Sequence, residues 1–287
     1  MCVIRSIIMK LCEVKIVADS GSDLLTLEDI GYSVASLKIV TDERGFVDNA
    51  ELDVAEMVKY LAGYKGKSST ACPGPEDWYS GFGDSKYVFT VSITGNLSGS
   101  CNSARIAAKD YEESHPDRRV RVIDSMTAGP EMVLIIEKLR ELILLGKSFD
   151  EVSAEIDEYM KTTGLLFILE SMQNLANNGR VSPIAAKAAG LLGIRAIGRA
   201  SDMGTLDMLS KSRGEKRCAP DTYNTMKGQG YKGGRVRIGN ILNPAFAGKV
   251  KELILADYPD ADVRIYESRG LCSFYAEKGG LMVGFEK

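Results

Sequence analysis

The sequence of 287 residues predicts an α/β fold with two α/β domains, the first built on a mainly parallel sheet flanked by helices. Short apolar runs alternate with longer amphipathic runs, and right-handed crossovers turn this alternation into a parallel sheet. The chain is also too long for one ordinary compact unit. Its hydrophobic fraction of 45% is enough for a substantial core.

The first half is predicted to contain four strands and four helices. Apolar runs that end in turn residues predict strands, whereas apolar residues at steps of three and four predict helices. The predicted strands cover 14–18, 34–40, 87–92 and 119–123, and the predicted helices cover 53–62, 101–111, 130–145 and 151–162. Ser98 is the expected N-cap of the second helix, and Ser148 forms a capping box with Glu151 before the fourth.

Gly164 is the predicted boundary between the domains, which would cover 13–164 and 165–287. In the second domain the predicted strands are 165–169, 235–241, 263–266 and 281–285, and the predicted helices run from Pro183 and over 244–256. Residues 1–12 are expected to be an N-terminal extension, because their apolar run is too short for a leader with a cleavage site.

Composition excludes several classes of partner. The net charge is −3, so no overall field attracts nucleic acid or an anionic membrane. No apolar run approaches the roughly 20 residues that span a bilayer. The six cysteines form no CxxC pair and have no histidine at metal spacing. We therefore expect neither a zinc site nor a disulfide framework. Cysteines without a disulfide framework are typical of a reducing compartment, so we expect a cytoplasmic protein.

The segment from Lys211 to Arg237 is locally basic, with eight basic residues against two acidic ones. Such a segment is either a solvated face or a docking surface for a partner or a phosphate. Lys211, Arg213 and Lys216 are the candidates for the docking surface.

The single histidine, His115, limits the catalytic chemistry available to the chain. It lies in a predicted surface loop, so Ser-His-Asp and Cys-His mechanisms are not expected. The sequence also contains no Walker A motif, and no glycine-rich dinucleotide motif follows a strand. Asp19 and Asp124 follow predicted strands and are either acid–base groups or caps of the strand ends. We therefore assign no catalytic and no metal-binding residue.

Two turn segments rich in hydroxyls and glycine remain as candidates for a binding site. Thr94–Ser100 joins a predicted strand to a helix, and Ser68–Pro75 joins two predicted helices. Free N–H groups and the positive dipole end at a helix start attract anions, and glycines let the backbone come close to them. Because ligands of parallel sheets bind at the carboxyl ends of strands, the Thr94–Ser100 loop is the stronger candidate.

Seven segments resemble, in order, those of the DegV proteins, a family of bacterial fatty-acid-binding proteins. The segments are VADSGSD (17–23), STACPGP (69–75), ITGNLSGS (93–100), VIDS (122–125), NNGRVS (177–182), LLGI (191–194) and KSRGEK (211–216). No single segment is diagnostic, but the ordered set is specific to the family.

The resemblance implies that a long-chain fatty acid lies between the two domains, with its tail in an apolar tunnel. Hydroxyls of Thr70, Thr94 and Ser98 would hold the carboxylate, and Arg180 would lie at its rim. Some members of the family present this carboxylate to a fatty acid kinase, which forms an acyl phosphate. The basic residues of the KSRGEK segment would then face the kinase, and the carrier itself would need no cofactor.

The sequence departs from the family pattern at two places. Many members carry a histidine near the C-terminus that contributes to the carboxylate site, and Tyr275 lies near its position here. Ser273 is the other candidate donor for this contact. The missing histidine weakens the case for a kinase-coupled function more than the case for ligand binding. Gly95 replaces a serine of many members, so the resemblance assigns that contact to Asn96 or to a backbone N–H.

The sequence leaves three possible functions for the protein. The leading hypothesis is a fatty-acid-binding carrier that is not an enzyme. The alternative is a phosphotransfer enzyme, because the first domain resembles the architecture of proteins related to dihydroxyacetone kinase. A DNA-binding regulator has little support, since the chain is acidic and shows no helix-turn-helix pattern.

Overall fold

The structure, a computed structural model, describes residues 9–184, 186 and 193–287. Most of the predicted extension 1–12, most of the predicted helix from Pro183, and Leu191 and Leu192 lie outside the described residues. The strands are β1 (Val14–Asp19), β2 (Gly31–Ala35), β3 (Lys38–Thr41), β4 (Gly45–Val47), β5 (Ser68–Ala71), β6 (Tyr87–Ser92), β7 (Arg119–Asp124), β8 (Thr163–Leu169), β9 (Ile194–Ala200), β10 (Leu206–Arg213), β11 (Val236–Asn240), β12 (Val263–Glu267) and β13 (Leu281–Glu286).

The helices confirm most of the helical predictions. They are α1 (Val54–Gly63), α2 (Pro75–Phe82), α3 (Ser100–Ser114), α4 (Pro130–Leu144), α5 (Phe149–Met160), α6 (Gln173–Asn177), α7 (Glu215–Gly228), α8 (Pro244–Asp257) and α9 (Gly270–Ala276). The capping box before α5 forms as predicted, with Ser148 and Glu151 each accepting from the other's backbone N–H. Helices α6, α7 and α9 were not predicted.

A parallel sheet with the order β2-β1-β6-β7 forms the first layer, as the alternation of strands and helices predicts. Every residue of β6 is buried, which agrees with its continuous β-branched and aromatic sequence. The single strand predicted over 34–40 is wrong, because β2 and β3 belong to different sheets. The break lies at Leu37, whose N–H donates to Ser20 Oγ at 3.0 Å and whose C=O accepts from Asp48 N at 2.9 Å.

The strands β3, β4 and β5 form a small antiparallel sheet in the order β4-β3-β5. The segment Ser68–Pro75 is therefore not a simple connection between helices, because its first four residues form β5. The inner face of this sheet shares an apolar cluster with the second half of the chain, in which Ile39 and Met57 pack with Phe167 and Phe274. The predicted division at Gly164 stays a prediction.

The third sheet has the order β10-β9-β8-β13-β11-β12 and is antiparallel except for the pair β11 and β12. Helices α7 and α8 cover one of its faces and bury Cys218 and Phe246 against Ile197 and Val283. The basic segment contains the end of β10 and the whole of α7, and neither element was predicted. Most of β10 is exposed or half-buried, so it lacks a strong apolar signal.

Helix α4 lies between the parallel sheet and the six-stranded sheet, which explains why it is apolar around most of its surface. Ile135 packs in the core under the parallel sheet. On the other side, Glu137 forms an ion pair with the buried Arg237 of β11 at 2.7 Å. Gly284 of β13 permits the close approach, since a Cβ there would lie 2.5 Å from the backbone N of Glu131.

Candidate functional site

The carboxyl ends of β1, β6 and β7 meet at one edge of the parallel sheet. There the buried Asp19 accepts hydrogen bonds from Ile93 N at 2.9 Å and from Ser100 Oγ at 2.6 Å. Asp124 accepts from Gly95 N and from Met126 N, both at 3.1 Å. Burial raises the pKa of Asp19 to about 7, against the lowering effect of these hydrogen bonds. Both carboxylates therefore hold loops in place. Of the two roles considered from the sequence, acid–base group or cap of a strand end, this is the role of a cap.

The Thr94–Ser100 loop connects β6 to α3 at this edge. The backbone N–H of Thr94 donates to Thr127 O at 2.9 Å, which ties the loop to the segment after β7. The N-cap of α3 is Gly99, so the prediction that Ser98 caps the helix is wrong by one residue. Ser98 Oγ still accepts from Ser100 N at 3.3 Å and thus serves the first turn from outside the helix.

An apolar cavity lies between this edge and the six-stranded sheet. The empty space between its walls, counted out to the mouth, is about 800 Å³. This volume lies within the range of about 300–1,000 Å³ for small-molecule sites. The apolar lining residues are Leu37, Ile93, Leu97, Ala128, Leu165, Phe167, Leu169, Leu175, Ala200, Leu206, Leu271, Cys272, Ala276 and Met282.

Five of the six predicted ligand-binding residues line the apolar cavity: Thr70, Thr94, Ser98, Arg180 and Tyr275. They come from β5, the Thr94–Ser100 loop, the segment after α6, and α9. Among the described residues, the remaining polar lining residues are Thr127 and Thr205, so this part of the lining contains hydroxyls and one guanidinium but no carboxylate. Such a lining can hold an anionic group without repelling it.

Three of these residues form a head-group cluster, consisting of Thr70, Arg180 and Tyr275. The hydroxyls of Thr70 and Tyr275 are 2.8 Å apart and share a hydrogen bond. The guanidinium carbon of Arg180 lies 5.8 Å from the centroid of the Tyr275 ring. Burial raises the pKa of Tyr275, although the hydrogen bond from Thr70 and the charge of Arg180 lower it. Tyr275 is therefore a neutral hydroxyl donor at neutral pH.

Arg180 is also bound to the Thr94–Ser100 loop. Its Nε donates to Leu97 O at 3.2 Å, and Nη1 donates to Asn178 O. These bonds hold the guanidinium at the cavity wall between two elements of the site. That Arg180 lies at the rim of a carboxylate site stays a prediction.

Two buried carboxylates that sequence analysis missed hold the start of α9, which carries Tyr275. Asp48 accepts from the backbone N–H groups of Gly270 and Leu271, each at 2.8 Å. Asp23 accepts from Arg269 N at 2.8 Å. No local pattern could have revealed the first contact, since the partners are 222 residues apart in sequence.

Other hydrogen bonds join α9 to the rest of the head-group cluster. The amide of Asn174 in α6 donates to Phe274 O at 2.8 Å. The amide of Asn178 donates to Ser68 O in β5 at 3.3 Å. The three elements that carry Arg180, Tyr275 and Thr70 are therefore fastened to one another.

The turn between β9 and β10 packs on the other end of the Thr94–Ser100 loop. Gly204 has φ +68°, and a Cβ at this position would lie 2.3 Å from Thr94 Oγ1. The side-chain amide of Asn96 donates to Met203 O at 2.5 Å, and Asn96 does not line the cavity. We therefore leave Asn96 out of the head-group site, because its amide joins the loop to this turn.

Two other predicted donors are also engaged within the protein: Ser273, the alternative to Tyr275 for the missing histidine, and the backbone N–H of the loop, the alternative to Asn96. Ser273 Oγ donates to Ser268 O at 3.0 Å, and the side chain is buried outside the cavity wall. The backbone N–H of Gly95 donates to Asp124. Of Tyr275 and Ser273, the two candidates for the role of the missing histidine, Tyr275 is the one that lines the apolar cavity.

Lys211, Arg213 and Lys216 are exposed at the end of β10 and the start of α7. Lys211 lies five residues beyond Leu206 at the cavity wall, roughly 17 Å along the strand. The basic segment as a whole carries less unpaired positive charge than its composition suggests. Four of its eight basic residues form ion pairs, namely Arg217, Lys227, Arg235 and Arg237.

Several classes of site do not occur in the described part of the chain. Residues 9–184, 186 and 193–287 contain no group of three or more histidine, cysteine, aspartate or glutamate side chains arranged to hold a metal ion. Within the same residues, each helix is too short or too polar to cross a membrane. The described cysteines are free thiols.

Fold and site together define a binding protein with an apolar cavity and a polar cluster at its wall. The family model described as "Uncharacterised protein, DegV family" matches residues 13–287. A DegV domain-containing protein of Streptococcus pneumoniae is 42% identical over 276 residues, which cover 95% of this chain and 98% of the relative. The chain belongs to the DegV family, which confirms the resemblance inferred from its seven segments.

Solved structures of relatives agree with the fold. A DegV family protein from Eubacterium eligens, loaded with heptadecanoic acid, has 43% identity and a TM-score of 0.94 over 96% of this chain and 99% of the other. The Streptococcus pneumoniae Fatty Acid Kinase (Fak) B3 protein, loaded with linoleic acid, has 42% identity and a TM-score of 0.93 over 95% of this chain and 99% of the other.

Proposed function

We propose that this protein is a carrier that binds one long-chain fatty acid in the apolar cavity. The observation that carries this proposal is the composition of the cavity wall, whose described residues are apolar except for hydroxyls and Arg180. The two relatives loaded with heptadecanoic acid and linoleic acid support the same ligand class. Each buried methylene contributes about 0.8 kcal/mol, so the alkyl chain would provide most of the affinity.

The carboxylate would bind at the head-group cluster. Thr70 and Tyr275 are hydroxyl donors that can turn from each other to an incoming oxygen, and Arg180 supplies a positive charge nearby. Charge-assisted hydrogen bonds of this kind are stronger than neutral ones. Thr94 and Ser98 line the same cavity and are the further hydroxyl donors of the proposed site.

A fatty acid kinase is the proposed protein partner. The name of the Streptococcus pneumoniae Fatty Acid Kinase (Fak) B3 protein supports this choice. The exposed Lys211, Arg213 and Lys216 would form the docking surface for the kinase. The carrier would use no cofactor of its own and would act in the cytoplasm, where its thiols remain reduced.

The alternative of a phosphotransfer enzyme gains no support from the cavity. Its lining, as far as the structure describes the chain, contains no histidine, aspartate or glutamate that could act as an acid or a base. Asp19 and Asp124, the candidates from sequence, accept hydrogen bonds from backbone N–H groups. A binding role without catalysis fits these residues better.

Mass spectrometry of the denatured, purified protein tests the proposal. Protein produced in a bacterial host should release C14 to C18 fatty acids, in amounts close to one per chain. A preparation that releases no fatty acid and also fails to take up added palmitate would refute the carrier function.

A further inference from the structure

Two residues form a wall between the apolar cavity and a second, charged cavity. Leu165 of β8 and Ala200 of β9 line both of them. The charged cavity has about 990 Å³ of empty space, counted out to its mouth, and its lining includes Glu131, Arg199 and Lys287. A single layer of side chains therefore separates an apolar space from a wet and charged one.

This wall lies at the end of β8 that is remote from the head-group cluster. Leu165, Phe167 and Leu169 alternate along β8 and all line the apolar cavity. The Leu169 end leads into α6 and Arg180, and the bond from Asn174 to Phe274 O places α9 there too. Leu165 lies four residues earlier, about 13 Å along the strand at about 3.3 Å per residue.

The chemistry of the charged cavity explains why a tail would end at the wall. Burial of methylene groups against apolar side chains provides the affinity for an alkyl chain. Carbons that passed into the charged cavity would meet ionic side chains and water, and they would displace solvent from polar groups at a cost. A tail therefore gains affinity with each carbon only until it reaches Leu165 and Ala200.

We infer that Leu165 and Ala200 form the end wall that sets the longest acyl chain this protein buries. The inference rests on the proposed function and adds a determinant of chain-length specificity to it. Each methylene buried within the wall raises affinity about fourfold, the equivalent of about 0.8 kcal/mol. Methylenes beyond the wall add none.

Two substitutions move the wall in opposite directions. Leu165→Ala removes an isopropyl group and makes room for about two more methylenes. The preference for the longest acids over palmitate should then rise about fifteenfold, since two steps of fourfold multiply. Ala200→Leu thickens the wall without creating a void, and it should shift the preference towards acids about two carbons shorter.

Leu166→Ala is the matched control. Leu166 is the neighbour of Leu165 on the same strand, is fully buried, and packs in the core on the opposite face of the sheet. It lines neither of the two cavities. Its truncation removes the same atoms and costs stability, but it should leave the chain-length profile unchanged.

The experiment is a competition in which delipidated wild type and the three variants are offered an equimolar mixture of saturated C12 to C24 acids. Bound acids are then identified by mass spectrometry. Opposite shifts for Leu165→Ala and Ala200→Leu, with an unshifted control, support the inference. If Leu165→Ala does not fold, the shift in the chain-length profile of Ala200→Leu alone tests the inference.

Unshifted profiles in folded variants that still bind palmitate overturn the end wall and leave the carrier function intact. A wild type that binds none of the acids overturns both. Failure of the inference and failure of the proposed function are therefore distinguishable.

Discussion

The hydroxyl of Thr70 in β5 lies 2.8 Å from the hydroxyl of Tyr275 in α9, and this hydrogen bond joins residues 205 positions apart at the wall of the apolar cavity. It connects the small antiparallel sheet to the helix that lies between β12 and β13 of the six-stranded sheet. Because each hydroxyl can donate to the other, an incoming carboxylate can replace the shared bond with two of its own. The shared bond uses one of the two O–H donors, and the other remains free to donate to a ligand.

The hydroxyls should be needed for the affinity of a fatty acid. The double variant Thr70→Val and Thr94→Val keeps the shapes of both side chains and removes two donors, so affinity for oleate should fall by a few kcal/mol. Isothermal titration of delipidated protein measures this change. Ser69→Ala, which removes an exposed hydroxyl from the same strand, is the control and should bind oleate like wild type. An unchanged affinity in the double variant would show that the head group is held elsewhere.

The turn at Gly204 should be sensitive to a single methyl group. Gly204→Ala puts a Cβ 2.3 Å from Thr94 Oγ1 at a positive φ, so we expect a loss of more than about 1 kcal/mol in the free energy of unfolding. Denaturant titration measures this loss. Gly228→Ala in α7, where a Cβ has open space, should be close to neutral. Equal stability of the two variants would argue against the contact with Thr94.

Stability should fall as the pH rises from about 4 to about 7. Burial raises the pKa of Asp23 to about 7 in the folded protein, with Asp48 adding repulsion, whereas the unfolded value is ordinary. The folded state thus binds more protons than the unfolded state in this window, and each such group steepens the decline by roughly 1 kcal/mol per pH unit.

Asp23→Asn removes one of these titrations and keeps an oxygen that can accept from Arg269 N. Its free energy of unfolding, measured by urea titration between pH 5 and 8, should depend less on pH than that of wild type. A slope as steep as that of wild type would mean that Asp23 does not titrate in this range.

The proposed kinase surface should be separable from ligand binding. Reversing the charge of Lys211, Arg213 and Lys216 to glutamate should reduce acyl phosphate formation by a fatty acid kinase with ATP at least tenfold, because the glutamates would repel a kinase surface that complements the basic residues. Affinity for oleate should not change, since these side chains lie away from the cavity. Reversal of the exposed Lys59, Lys65 and Lys67 gives the same change in net charge and serves as the control. Equal loss in both triple variants would favour a nonspecific charge effect.

Local signals in the sequence were sufficient for the parallel sheet and for much of the site. The apolar run of β6 and the capping box at Ser148 depend on neighbours in sequence, and both are found in the structure. The segments that carry Thr70 and Thr94 were recognised from their hydroxyls and glycines, together with the family resemblance.

Features that depend on distant partners were missed. The chain leaves the first sheet at Leu37 because of a hydroxyl 17 residues away on Ser20. Helix α9 is too short for a periodic signal, and its start is held by Asp48 from the other half of the chain. The hydrogen bond from Asn96 to Met203 likewise depends on the hairpin of β9 and β10, which no alternation of apolar and polar residues predicted.

Isothermal titration of delipidated wild-type protein with oleate tests the central claim most directly. If the apolar cavity binds a fatty acid by its tail and its carboxylate, the titration should saturate at one acid per chain, and oleyl alcohol should bind at least tenfold more weakly. The absence of saturable binding would contradict the carrier function, and equal affinity for the alcohol would contradict the assignment of a carboxylate site to Thr70, Tyr275 and Arg180.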